Sequence, residues 1–512
     1  MESVSFVELG PKKSFISLLG SRDWLLLDKV SSFLAGQGIE SYLVGGLVRD
    51  VLLGRDMADI DIAVASDALE VAKRVANAFG GKYILLDRAN RVGRVVLNDK
   101  QSPSDGGQWE IDFATFQESI EQDLARRDFT IDAMAVDLSR LGKKFVDIQL
   151  IDPFNGWEDL RRGVLRVVTE TVFESDAVRL LRAVRLAAEL GFSIDKQTEA
   201  LIQRHSNLIA GVAGERIREE LLRLLAVPRT ERFLFYLDDL GLLIALFPEL
   251  VQAKGVKQPK EHCWDVFEHS LKTVTAVDFL LRQGTWEHAG EEVLAGVSWS
   301  VELAEYFAQE VSSGSTRRLL LKLAAFLHDV GKLQTKAIDA GGRMRFLGHA
   351  IKGVAIAEKI LERLRFSARE IKLVETLVRY HLRPGQMSRE GLPTNRAIYR
   401  YFRDSGEAGI DALFLSLADH LAARGPSLSP SRWQEHARLV EYVLFKRFEQ
   451  ESIVCPSKLV DGHDLIDIFA VSPGPEVGEA LEAVREAQAS GEIITRQEAL
   501  DYTRNYLLAK AE

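Results

Sequence analysis

At 512 residues, 46% hydrophobic and 27% charged, the chain has the size of about three or four domains and a globular composition, which excludes a mostly disordered or collagenous protein. Its longest apolar runs, such as LLIALF at 242–247, fall far short of the roughly 18 residues of a membrane span, and Glu2 and Glu8 stand where a secretory leader starts basic and apolar, so a cytoplasmic protein with no membrane partner is expected. A net charge of −10 advertises no polyanionic partner, although residues 161–230 hold 12 Lys/Arg against 9 Asp/Glu, and Cys263 and Cys455 are too few for a disulfide framework or a Cys-based zinc site.

Apolar spacing predicts a helix over 23–38, a short strand over 42–44 running into Gly45-Gly46, a helix over 47–53 and a turn at Gly54. Residues 60–64 alternate as a strand. Residues 95–97 and 109–113 are two further strands, and the polar, glycine-containing stretch 98–108 between them reads as a hairpin loop. From about Asp159 onward apolar residues recur three and four apart to the end of the chain. An α+β fold follows: an N-terminal extension (1–24), a small mixed α/β head (25–150), then an elongated and almost wholly helical remainder. Breaks near Val227-Pro228, over 253–261 and in the Ser/Pro/Arg-rich stretch 424–432 divide that remainder into 151–228, 229–425 and 426–512.

Asp59 and Asp61 lie two apart on a predicted strand, so their carboxylates share a face and can hold magnesium, a hard cation that keeps substrate phosphates among its ligands. Gly45 and Gly46 sit between strand and helix, where backbone N–H groups can approach a triphosphate. Glu110 and Asp112, again two apart, offer a third carboxylate for a two-metal in-line displacement.

Together, LVGGLVRDVLLG (43–54) followed by DID (59–61), RRDFTIDAMAVD (126–137), DPFNGWEDLRRGVLR (152–166), DAVRLLRAVRLAAELGF (176–192) and ERIREELLRLL (215–225) closely resemble the head and neck of class II tRNA nucleotidyltransferases and bacterial poly(A) polymerases, within the polymerase-β-like superfamily. The resemblance implies that Asp59 and Asp61 bind catalytic magnesium with Glu110 as the third acid. It places the triphosphate on Gly45, Gly46, Arg49 and Asp50, and gives Arg126, Arg127 and Asp128 the shaping of the nucleotide pocket. Asp176 and Arg179, three apart on a helix, also have a direct physical reading. Cytosine and adenine each present an amino donor beside a ring-nitrogen acceptor, which a carboxylate and a guanidinium complement, whereas guanine and uracil would meet like against like. Arg182 and Arg185 continue the face, either as a solvated stripe or as contacts to the triphosphate or RNA backbone. Ser175 stands where the family usually has an acid.

Among ten histidines, His269, His328-Asp329 before Gly331, His349, His381 and then Asp419 form a spaced series. Imidazoles and carboxylates from separate helices suit a borderline or hard divalent transition ion with a position open to water. The order H…HD…H…H…D resembles the HD superfamily of metal-dependent phosphohydrolases over about 260–425. The resemblance makes His269, His328, Asp329 and Asp419 core ligands, adds His349 and His381 as a second site, and leaves His262 as an extra participant. The whole reads as an enzyme adding C, A or both to a tRNA 3′ end from CTP and ATP, with an HD phosphohydrolase attached. The alternatives are a poly(A) polymerase acting on RNA generally, or an HD phosphohydrolase with a silent RNA-binding head. Only 15 residues separate Glu110 from Arg126, where CCA-adding relatives carry a longer flexible loop, so a division of labour is expected, with CC addition favoured over A addition.

Overall fold

Residues 6–7, 21–55, 60–98, 108–140, 150–259, 261–312, 314–387, 391–454 and 456–511 are described by the computed structural model of the protein, and the chain divides into two units, residues 1–211 and 212–512. The division falls inside the segment expected as a separate neck over 151–228.

In the first unit an eight-stranded sheet is built from β1 (Phe6–Val7), β2 (Ser41–Val44), β3 (Ile60–Val64), β4 (Lys82–Asp87), β5 (Val92–Asn98), β6 (Gln108–Thr115), β7 (Ala135–Asp137) and β8 (Leu150–Ile151), in the order β1-β8-β7-β2-β3-β6-β5-β4. All neighbours are antiparallel except β3 and β6, which run parallel. The predicted strands are present, and β5 and β6 close on Asn98 opposite Gln108, as a hairpin requires; residues 99–107 lie outside the described residues. β1 pairs with β8, so this part of the expected N-terminal extension belongs to the sheet. The sequence reading missed β4, whose mixed burial lacks alternation, and β7 and β8, which are too short to show a period.

Alternation on β5 and β6 separates two faces. Gly93, Val95, Leu97, Ile111 and Phe113 are buried, while Arg94, Glu110 and Asp112 project the other way. The buried face receives the helix Ala68–Phe79, whose buried Ala68, Val71, Ala72, Val75 and Ala76 repeat at helical spacing. Asp67 caps its start by accepting from the Leu69 amide (3.0 Å), and Gly80 ends it in the left-handed region. At Gly93 an added Cβ would lie 3.2 Å from the Ala72 methyl, so helix and sheet meet closely there. Parts of the motif DPFNGWEDLRRGVLR are structural: Asp152 accepts from the Gly156 and Trp157 amides (2.7 and 2.9 Å), and a Cβ on Gly156 would stand 2.1 Å from the Thr130 carbonyl.

Among the described residues, the second unit is helical apart from two short hairpins. The helices Val266–Leu280 and Gly409–Arg424 are buried nearly all round, and both pack against the helix Arg317–Leu327. A buried ion pair ties two of them: Lys322 Nζ stands 2.8 Å from Asp278 Oδ1, and each residue is 2% exposed. Lys322 also donates to Thr230 Oγ1, which satisfies a charge that burial alone would neutralise. Residues 459–511 add a small core of their own around Leu465, Ala480, Val484 and Ala499. Lys322→Ala leaves Asp278 buried without its cation and should cost about 3–5 kcal/mol in the urea transition of the helical unit. The double variant Lys322→Ala/Asp278→Ala should lose less than this single one.

Candidate functional sites

The turn after β2 is a glycine position for a physical reason. Gly45 has φ +72°, and a Cβ there would stand 2.6 Å from Arg127 Nη1 and 3.1 Å from Asp61 Oδ2. The bare backbone therefore lies directly beside the Asp61 carboxylate, and Gly46 starts the helix Gly46–Leu53. In the parallel β3–β6 register Asp61 aligns with Asp112, so these two carboxylates share a face. Arg94, opposite Asp112 on β5, donates to both Asp112 oxygens (2.7 and 2.8 Å) and pairs with Glu110. Glu110 lies two residues from that register position, with a side chain 38% exposed against 18% for Asp112. Asp59 is outside the described residues. Arg94 had no signal in the sequence, because its partners become its neighbours only through strand pairing.

Arg49 and Asp50, expected to hold the triphosphate, are engaged with each other and with Asp132. Arg49 is buried and donates to Asp132 Oδ1 (2.7 Å) and to both Asp50 oxygens (2.9 and 3.0 Å), which braces the turn against residues 130–132.

Residues 126–128 link the glycine turn to the pair Asp176 and Arg179. The Arg126 carbonyl accepts from Arg179 Nη2 (3.2 Å), Arg127 Nη1 packs at Gly45, and buried Asp128 pairs with Arg182 (2.8 Å). Asp176 precedes the helix Arg179–Leu190 in extended conformation, with its Oδ2 4.0 Å from Arg179 Nε. Both side chains are partly exposed, at 28% and 22%. Ser175, the departure from the family pattern, orients this pair: its Oγ accepts from Arg179 Nη1 (3.2 Å) and donates to the Val172 carbonyl (2.8 Å). Arg185 does not continue the face. It is 2% exposed and pairs with Glu189, because each three-residue step falls about 60° short of a helical turn, and the stripe has drifted into the core by the third arginine.

In the second unit six expected residues converge from five elements. His269 lies on the helix Val266–Leu280, His328 closes the helix Arg317–Leu327 with Asp329 after it, His349 opens the helix His349–Arg363, His381 closes the helix Ala368–Tyr380, and Asp419 lies on Gly409–Arg424. Asp329 is the hub. Its Oδ2 stands 3.3 Å from His269 Nε2 and 3.1 Å from His328 Nε2, and its Oδ1 stands 3.3 and 3.9 Å from the Nε2 atoms of His349 and His381. Asp419 Oδ1 completes the first group at 3.1 Å from His269 and 3.7 Å from His328.

The Nδ1 atoms of His328, His349 and His381 face the carbonyls of Ala325, Phe346 and Val378 at 2.7–2.8 Å, an arrangement that directs each Nε2 to the common centre. Both Asp329 oxygens are buried with ionic neighbours but no hydrogen bond of good geometry, the condition of a carboxylate built for a cation. Burial opposes the charge on Asp329, yet His328 and Lys332 (2.6 Å) outweigh it and hold the carboxyl well below its usual range. Burial pushes His381 down to about 4, whereas at the equally buried His328 the carboxylates of Asp329 and Asp419 outweigh burial and push it up to about 10. Gly331 permits this packing, since a Cβ there would lie 2.2 Å from the His349 carbonyl.

His262 is not among the converging groups; it lines, with His381, Asp419, His420, Arg424 and Arg432, a cavity of about 490 Å³ beside them. Arg424 and Arg432, the two ends of the stretch expected as a boundary, are part of that wall. Lys332 and the cavity's His420 and His436 were missed, since each has the sequence appearance of an ordinary helix residue.

The chain matches the family models of the poly A polymerase head domain over residues 41–166, the probable RNA and SrmB-binding site of polymerase A over 191–254, and the HD domain over 298–424. His269, spatially central, lies outside the last match. The A-adding tRNA nucleotidyltransferase of Deinococcus radiodurans is 34% identical over 91% of this chain and 95% of its own length. The CC-adding tRNA nucleotidyltransferase of Thermus thermophilus is also 34% identical, over 90% and 92%. The solved structure of a Thermotoga maritima CCA-adding enzyme complexed with tRNA superposes with a TM-score of 0.60 at 22% identity, covering 98% of this chain and 99% of that one. No helix among the described residues is long and apolar enough to cross a membrane. With a mixed α/β head, its glycine turn and carboxylate strands, and an HD region behind them, the chain belongs to the family of tRNA nucleotidyltransferases and bacterial poly(A) polymerases.

Proposed function

We propose that the chain extends the 3′ end of tRNA with cytidylates from CTP and stops before the terminal adenylate. The observation that carries the reading is the segment 126–128, which joins the base-complementary pair Asp176–Arg179 to the turn where Gly45 lies against Asp61. A cytosine on Asp176 and Arg179 would offer its amino group to the carboxylate and its ring nitrogen to the guanidinium. Its triphosphate would meet the bare backbone of Gly45 and Gly46 and the exposed Arg126. Asp61 and Asp112, aligned on one face, with Asp59 beside them in sequence, would hold magnesium, which when bound supplies charge neutralisation to the reacting phosphate. Asp112 takes the place first expected of Glu110, because it is the acid in register with Asp61.

The restriction to part of the CCA end rests on the stretch between β6 and Arg126. Phe116, Ile120 and Leu124 from that stretch are buried in the head's core, and Ser119 caps the helix Ile120–Ala125. A segment anchored in this way is a poor lever for resetting the pocket from one base to another. The two relatives that align over about nine-tenths of the chain are each named for one part of the reaction.

We further assign a metal-dependent phosphohydrolase activity to the helical unit, on a phosphomonoester or a 2′,3′-cyclic phosphate. His269, His328, Asp329 and Asp419 would hold one divalent transition ion and Asp329, His349 and His381 a second, lowering the pKa of a bound water.

With tRNA lacking its CCA end and both nucleotides supplied, products should end at CC; completion to CCA by the purified protein, or adenylation of an unstructured RNA, would defeat this reading. Asp112→Asn should lower incorporation at least about a hundredfold and Glu110→Gln less than about tenfold, measured as single-turnover rates; the reverse order would return the third-acid role to Glu110. Metal analysis should find two divalent ions per chain lost in Asp329→Ala together with phosphohydrolase activity, while incorporation stays within about threefold. Equal loss of incorporation would break the separation of the two sites.

A further inference from the structure

The helix Ala368–Tyr380 has two faces with different tasks. Leu373, Val374, Leu377 and Val378 are buried, and a capping box between Ser367 and Glu370 fixes its start. The other face carries Arg369, Lys372, Thr376 and Arg379, at i, i+3, i+7 and i+10, one stripe along the helix. Arg369, Lys372 and Arg379 are exposed, and none of the three side chains has an ion-pair or hydrogen-bond partner among the described residues. This is unusual for a chain with ten more acids than bases, where other arginines nearby are engaged: Arg400 with Glu486, and Arg403 with Asp404 and Glu482. The stripe forms one wall of a cavity of about 380 Å³. Arg403, paired with Asp404 and Glu482, and Arg317, held on Asp411 at 2.6 Å, also line it, together with the acids Asp404 and Glu407.

We propose that this groove binds the sugar–phosphate backbone of the RNA substrate, as a contact surface separate from both sites described above. At 1.5 Å per residue, Arg369 and Arg379 are about 15 Å apart along the helix, longer than the triphosphate of a single nucleotide and matched to several successive phosphates of one strand. A row of three exposed cations along one helix, with little beyond Tyr380 to engage a base, suits a contact that positions RNA without reading its sequence. The inference rests on RNA being the substrate, but it is tested by binding, which does not require turnover.

The experiment compares the full-length protein with the triple variant Arg369→Gln/Lys372→Gln/Arg379→Gln and with a charge-matched control, Lys336→Gln/Lys359→Gln/Arg438→Gln, whose exposed cations lie outside the groove. Equilibrium binding of tRNA lacking its CCA end is measured across a salt series. The groove variant should bind at least about tenfold more weakly at 0.15 M salt, and its log–log salt slope should be shallower by about 2 to 3, the value for three lost phosphate contacts. The control should keep the wild-type slope and an affinity within about twofold. An unchanged slope in the groove variant, or an equal loss in the control, overturns the proposal. So does retained tRNA affinity with lost binding of pyrophosphate or ATP, which would make the groove a small-anion site. Intact tRNA binding by the wild type without incorporation would count against the proposed reaction while leaving the groove contact standing.

Discussion

The parallel pairing of β3 with β6 is the constraint on which the head depends. Every other neighbouring pair in the sheet is antiparallel, and this one brings two acids far apart in sequence, Asp61 and Asp112, to the same level and face. Because side chains alternate with period two, a slip of one residue would send one of these carboxylates to the face covered by the helix Ala68–Phe79. The apolar set Val95, Ile111 and Phe113, buried against that helix, resists the slip, so the packing of one face fixes the chemistry of the other. Two carboxylates on one face would repel each other, and Arg94 offsets part of that repulsion from β5.

A second economy lies in residues 126–128. Three consecutive residues use different atoms for different attachments: a backbone carbonyl for Arg179, a guanidinium beside Gly45, and a buried carboxylate for Arg182. Such a segment transmits position, since moving any one attachment strains the other two. Ser175 adds to the same arrangement by accepting from Arg179 through its hydroxyl.

The helical unit solves a different problem, the burial of several ionisable groups at one point. Asp329 is 1% exposed and would be costly there unpaired; four imidazoles and Lys332 surround it, and three of the imidazoles are oriented by backbone carbonyls, two of which, those of Ala325 and Val378, lie in the last turn of a helix. Helix ends suit the task because their last carbonyls lack intrahelical donors. Gly331 and Gly353 let the turn after Asp329 approach the start of the helix His349–Arg363 more closely than any side chain would allow.

By itself the sequence determined the class of fold, the main strands and the glycine turn after β2, because alternation, helical spacing and glycine at a strand-to-helix turn are local properties written in neighbouring positions. It also separated a mixed head from a helical remainder. Tertiary structure decided what depends on which distant residues meet. Strand register put Asp112 rather than Glu110 abreast of Asp61 and revealed Arg94. Helical drift carried Arg185 into the core although its spacing from Arg179 and Arg182 resembled a common face. Arg49 and Asp50, which stand in a motif suggestive of ligand binding, turned out to be engaged with each other and with Asp132. The division of the chain after residue 211 was likewise invisible in composition, because a boundary between units is set by which contacts are made across the fold, and helices on its two sides carry the same local pattern.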